Sequence, residues 1–160
     1  MISLQSLSSP SPPKLWLAAA AAAQGEDGSD DQARQENLET RTLRVLIVED
    51  EFFISLHTKG LLQTLGHAVV AIAVTADQAV AIAERERPDV VLMDIRLPGP
   101  RDGVDAAEEI RNRFGISSIF VTANTDPHTR GRAQAVQPIA ILEKPLTEQR
   151  LRQGLSGVAQ

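Results

Sequence analysis

The sequence predicts an α/β fold, a five-stranded parallel sheet with helices on both faces. Three observations predict it. Short apolar runs recur from Leu43 onward, at residues 43–48, 67–74, 89–94, 117–122 and 139–142. Each is followed by a segment with helical spacing or a helix cap. The runs are apolar almost throughout instead of alternating, as strands buried on both faces must be.

"LRVLIV" (43–48) is β-branched and short, a buried strand. Phe53, Leu56, Leu61 and Leu65 then fall at helical spacing over residues 51–65, with Gly66 as the stop. Asp50 stands where it can cap that helix, and Glu51 reads as a solvated first-turn acid. "HAVVAIAV" (67–74) is the second strand; Thr75 and Gln78 have capping-box spacing for a helix that Pro88 ends. "DVVLMD" (89–94) is the third strand. A Pro/Gly loop leads to a helix from about Gly103 to Arg113. "SSIFVT" (117–122) is the fourth, and Asp126-Pro127 is a cap followed by proline at the first helical position. "IAIL" (139–142) is the fifth, and Thr147 caps a last helix.

Five β-then-α units with right-handed crossovers give a doubly wound sheet. Its commonest five-stranded form is the flavodoxin-like (βα)5 arrangement, strand order 2-1-3-4-5. Aromatic residues make up only 3% of the chain, so the core must be aliphatic. The absence of Cys excludes disulfides and thiolate metal sites and favours a reducing compartment.

Residues 1–41 mix Ser/Pro, an Ala run and a Gly/Asp stretch, and read as a disordered extension; residues 42–160 form the folded domain. Lys14 followed by "LWLAAAAAA" loosely imitates a signal peptide. Its basic region is weak and proline-rich, and Ala drives membrane insertion poorly, so a cytoplasmic protein is expected. No long run of bulky apolar residues predicts a membrane span. The net charge is −5, which argues against nucleic acid as a partner. The extension holds three of the 16 basic residues and six of the 21 acids. The remainder is nearly neutral, and its acids matter by position.

In such sheets ligands bind beyond the carboxyl ends of the strands. Strand 1 ends on Glu49 and Asp50, strand 3 on Asp94, strand 4 on Thr122, and Lys144 follows strand 5. Two unit charges about 5 Å apart repel by roughly 3 kcal/mol at an effective dielectric near 20. Three gathered carboxylates therefore call for a cation, and a hard divalent ion such as Mg²⁺ takes oxygen ligands of this kind. His57, His67 and His128 share no metal-ligand spacing and read as surface or cap residues, and Arg111, Arg113, Arg130 and Arg132 as solvated helix faces.

"VLIVEDE" (45–51), "DVVLMDIRLPGPRDG" (89–103), "FVTAN" (120–124) and "LEKPL" (142–146) together resemble the receiver domain of bacterial two-component response regulators. The resemblance spans about residues 43–158. It implies that Asp94 accepts a phosphoryl group, and that Glu49, Asp50, Asp94 and the backbone carbonyl of Arg96 hold Mg²⁺. It further implies that Thr122 and Lys144 stabilise the phosphoryl group, that Ala123 gates access, and that Lys144–Pro145 is a cis peptide.

Two departures stand out. Ile141 occupies a position that is commonly Tyr or Phe in the family, where it links to the threonine as a rotamer switch. The segment from Asp94 to Gly103 is one residue longer than the commonest spacing and resembles general stress response regulators, which carry a sigma-factor-like domain before the receiver. Residues 1–41 are too short and polar for that domain, and only 16 residues follow Lys144. The expectation is a single-domain, non-enzymatic response regulator of a phosphorelay. Its donor is a histidine kinase or histidine phosphotransfer protein, and its output is a protein partner on the face of helix 4, strand 5 and helix 5; a homodimer is allowed. The alternatives are a phosphate-free binding module, which the acidic triad and Lys144 argue against and Ile141 leaves open, and a Mg²⁺-dependent aspartyl-phosphate phosphatase. Against the latter, Arg96 stands where haloacid-type enzymes carry a second acid.

Overall fold

A computed structural model describes residues 41–123 and 126–159. The expected extension, with Trp16, lies outside the described residues, as does Asn124 of the "FVTAN" motif. Arg41, assigned to the extension, donates to Asp89 at 3.1 Å.

The chain alternates strand and helix: β1 (Arg44–Val48), α1 (Phe52–Thr64), β2 (Ala68–Ala73), α2 (Ala76–Glu86), β3 (Val90–Asp94), α3 (Gly103–Phe114), β4 (Ser117–Thr122), α4 (Pro127–Ala135), β5 (Ala140–Glu143) and α5 (Glu148–Leu155), then a 3₁₀ turn at Ser156–Ala159. The five strands form one sheet in the order β2-β1-β3-β4-β5, and every pairing is parallel. The flavodoxin-like fold expected from the apolar runs is the one observed.

Successive side chains of a strand face opposite sides, so β1 feeds two cores. Leu46 and Val48 join Val91, Met93 and Phe120 in the core beneath α2 and α3. Val45 and Ile47 join Leu92, Ile119, Leu62, Leu151 and Leu155 in the core beneath α1 and α5. β3 is buried over its whole length, which is why it reads as an unbroken apolar run.

The caps account for most helix starts. Thr75 accepts from the Gln78 amide at 3.3 Å, but the Gln78 side chain reaches Val74 N at 3.1 Å instead of the cap's own amide. Asp126 and Thr147 cap α4 and α5. Asp102 heads α3 in a reciprocal capping box with Asp105.

Helix α1 departs from its spacing pattern in its first turns, while Leu61 and Leu65 pack against the core as expected. Phe53 is 82% and Leu56 52% exposed, while Ser55, Thr58 and Leu62 face inward. The i, i+3, i+7 series that packs on the sheet is the one with small residues in its first turns, where the helix lies close to the strand ends. Asp50 does not cap this helix: the cap position is Glu51, whose side chain makes no capping bond.

Candidate functional site

The ends of β1, β3, β4 and β5 deliver polar groups to the same edge. Glu49 extends β1, its amide donating to Ala73 O at 2.9 Å, and only 4% of it is exposed. Asp94 ends β3 and is also buried. Glu49, Asp50 and Asp94 each place a carboxylate oxygen within 4.8 Å of the others, with Asp50 on the solvent side. Lys144 enters between them: its Nζ lies 2.6 Å from Asp94 Oδ2 and 2.7 Å from Glu49 Oε2. The other Asp94 oxygen, Oδ1, accepts the Arg96 amide at 3.0 Å. Lys144 is held by its own backbone, whose amide donates to Thr122 O at 2.8 Å. The Lys144–Pro145 peptide is cis.

Thr122 is buried and its Oγ1 has no hydrogen-bond partner among the described residues, as is also true of Ser118 Oγ. A buried hydroxyl without a partner is uncommon and costly, and of these two only Thr122 lines the groove at the strand ends. Ala123 and Pro145 are exposed and line the same groove of about 780 Å³ as Asp50, Asp94, Arg96 and Lys144. Ile141 is not among the lining residues; it is half-buried against the core beneath α2 and α3.

Burial pushes the Glu49 carboxyl above its ordinary range, and the Asp94 carboxylate adds to that push, against the pull of Lys144. Burial acts to lower Lys144, but its bonds to Asp94 and Glu49 outweigh it and raise the ammonium. One ammonium thus serves two carboxylates. Three carboxylates against one ammonium leave two negative charges in a half-enclosed space, and every anionic donor is oxygen. That donor set fits a small hard divalent cation.

The remaining groove wall was not legible in the chain. Phe53, Ile54 and His57 of α1 line it. His57 is exposed, and its Nε2 lies 3.2 Å from Leu146 O, bracing α1 against the segment after Lys144. His67 is no plain surface residue either: its Nδ1 accepts the Leu43 amide at 3.3 Å. Arg132, read as part of a solvated face, donates to Asp102 and Asp105 at 2.7 and 2.8 Å. Arg113 stays partly exposed but pairs with Glu84 and Glu109 and lies over the Phe114 ring.

Residues 45–156 match the response regulator receiver domain. The chain belongs to that family. Among curated relatives, receiver-family resemblance extends to the phyllosphere-induced regulator PhyR of Methylorubrum extorquens. It is 34% identical over 116 residues, covering 72% of this chain and 43% of the relative. The transcriptional regulatory protein PdtaR of Mycobacterium tuberculosis is 36% identical over 104 residues, covering 65% and 50%. The chain therefore spans about half the length of these relatives. Solved receiver structures superpose over most of their length. The signal receiver domain of a modulated diguanylate cyclase from Desulfovibrio desulfuricans matches with a TM-score of 0.71 at 32% identity, covering 74% of this chain and 94% of that one. The receiver domain of Erythrobacter litoralis PhyR matches with a TM-score of 0.64 at 34% identity, covering 73% and 89%. Among the described residues no helix is long and apolar enough to cross a membrane.

Proposed function

We propose that this receiver is a phosphorylation switch whose phosphoacceptor is Asp94, working with Mg²⁺ held by Glu49, Asp50, Asp94 and the Arg96 carbonyl. The observation that carries the reading is the set of contacts at Asp94. One carboxylate oxygen is bonded to Lys144, the other to a backbone amide, and the Thr122 hydroxyl, without a partner among the described residues, lies in the same groove.

A carboxylate is a weak nucleophile, and phosphoryl transfer asks mainly for positioning and charge neutralisation. An Asp94 oxygen attacks the phosphorus of a phosphohistidine on a kinase or phosphotransfer protein. The O–P bond forms, the P–N bond breaks, and its electron pair leaves with the imidazole. Lys144 follows the phosphoryl oxygens with its ammonium, and the Thr122 hydroxyl donates to one of them. Mg²⁺, when bound, supplies the remaining positive charge. Ala123 leaves the approach open because its side chain is a single methyl.

Output passes to a protein partner on the face of α4, β5 and α5. That face is thinly packed: β5 is half-buried along most of its length and α4 buries only Ala133. The cytoplasm, where such kinases deliver phosphoryl groups, is the proposed compartment. Residues 42–160 are proposed to suffice for the chemistry.

The test is incubation with a small acyl phosphate and Mg²⁺. The receiver gains one alkali-labile phosphoryl group, and Asp94→Asn gains none. Undiminished labelling of Asp94→Asn sinks the assignment. Repeated turnover of the donor would make the chain a phosphatase. No labelling at all would leave the phosphate-free binding module, the reading that Ile141 leaves open.

A further inference from the structure

The loop that follows the phosphoacceptor is fastened at its far end to a helix that has little else to hold it. Asp102 accepts the amides of Val104 and Asp105 at 2.9 and 3.0 Å, and Asp105 accepts the Asp102 amide at 3.2 Å. The guanidinium of Arg132 lies across both carboxylates. Its Nη1 is 2.7 Å from Asp102 Oδ2, and its Nη2 is 3.3 Å from Asp102 Oδ1 and 2.8 Å from Asp105 Oδ1. A planar fork shared by two acids is a directional contact, unlike a mobile surface pair.

The capped end of α3 touches the site itself. Gly103 donates its amide to Ile95 O at 2.9 Å. A Cβ on Gly103 would fall 1.8 Å from the carbonyl oxygen of Asp94, so the first residue of α3 rests on the phosphoacceptor's own peptide. Any tilt of the α3 start must therefore move that peptide or the loop carrying Arg96.

At the other end of the contact is α4, which buries only Ala133. Helix α4 begins shortly after Thr122, and the Thr122 carbonyl holds Lys144, which holds Asp94. The links form a ring in which α4 and the end of β4 are joined by the chain alone: Asp94, the α3 start, Arg132, α4, the end of β4, Lys144, and Asp94 again. Ile141 is aliphatic and packed away from the groove, so an aromatic switch does not supply this link.

We propose that Arg132 is a positioning residue for the phosphoacceptor loop: by bridging the two carboxylates of the α3 capping box it fixes Gly103 against the Asp94 peptide and couples α4 to the site. The functional part of this inference rests on Asp94 being the phosphoacceptor; the structural coupling does not.

The test compares Arg132→Ala, Arg132→Lys and Arg101→Ala with the wild-type chain. Arg101 pairs with Asp77 and Glu109 at 3.0 and 2.6 Å but takes no part in the capping box, so it controls for loss of an ion pair beside the same helix. Three quantities are read: the amide NMR shifts of Gly103 and of residues 95–97, the affinity for Mg²⁺, and the labelling rate with a small acyl phosphate. Arg132→Ala should move the amide shifts and weaken Mg²⁺ affinity and labelling by about threefold to tenfold. Arg132→Lys, which keeps the charge but reaches one carboxylate at a time, should recover part of the loss. Arg101→Ala should leave all three at wild-type values. Adding about 1 M salt, which screens partly exposed pairs, should move the same amides in the wild type, so the answer does not hang on a variant's folding.

The proposal is overturned if Gly103 and residues 95–97 keep their shifts and Mg²⁺ its affinity in Arg132→Ala. It is equally overturned if Arg101→Ala reproduces the change, or if salt leaves those amides of the wild type in place. If the wild type takes no phosphoryl group, the phosphoacceptor reading fails, while the amide shifts and Mg²⁺ affinity still decide the role of Arg132.

Discussion

The centre of the sheet and its β5 edge are built differently. In β1 and β3 nearly every residue is buried, and the Glu49 and Asp94 carboxylates continue directly from those strands. In β5 three of four residues are half-buried and the fourth is exposed, and neighbouring α4 sinks only Ala133. The acids stand at the ends of the densely packed central strands. Lys144 follows the looser edge strand β5, and Thr122 ends β4, which lies between β3 and β5. Packed interiors resist displacement, whereas thinly packed edges open locally at low cost. The molecule thus sets the acids on its most densely packed strands, pins Lys144 to them by contacts of its own, and leaves α4 the thinly packed element.

The largest expected effect tests that contrast directly. Leu92 on β3 is 2% exposed, and Leu142 on β5 is half-buried. Leu92→Ala should cost about 4 kcal/mol in urea unfolding, and Leu142→Ala about 2 kcal/mol, because the cavity term grows with enclosure. Equal costs would erase the distinction between centre and edge.

A smaller effect concerns the acids themselves. Asp50→Asn removes one of three repelling charges with little change in shape. Asp50 makes no capping bond, so no helix term opposes the gain. Its exposure discounts the repulsion, leaving about 0.5–1 kcal/mol of added stability in EDTA. For a domain of this size that is a rise of about 2–5 °C in Tm. The same variant should bind Mg²⁺ more weakly by calorimetric titration. A lower Tm in EDTA would make the acids structural.

The smallest effect lies at the opposite end of the strands. Burial, with help from Arg152, lowers the pKa of His67 from its ordinary 6.5, and Nδ1 accepts the Leu43 amide in the neutral form. Below pH about 6.5 the unfolded chain takes up this proton more readily than the folded one, so stability should fall as pH drops through that range. His67→Asn keeps an acceptor but cannot titrate, and its unfolding midpoint should lose that part of the pH dependence. An unchanged profile would place the acid sensitivity elsewhere.

Much of the site was legible because strand order turns sequence into position. Apolar runs end at Glu49, Asp94 and Thr122, and a doubly wound sheet brings consecutive strand ends to one edge whatever the loops do. The all-parallel sheet, the order 2-1-3-4-5 and the caps at Thr75, Asp126 and Thr147 follow from local pattern and handedness for the same reason. The face of α1 did not follow. Phe53 and Leu56 have helical spacing, but periodicity cannot say which of two stripes faces inward when the closer one is made of Ser55, Thr58 and Leu62. Arg132 was equally silent, since its partners lie about 30 residues away and reach it only through the docking of α4 on α3. The sequence by itself determined which groups meet, because strand periodicity and right-handed crossovers are local rules. Only the tertiary structure decided how those groups pair, because the contacts of Lys144, His57, His67 and Arg132 depend on side-chain reach between elements that no local pattern encodes.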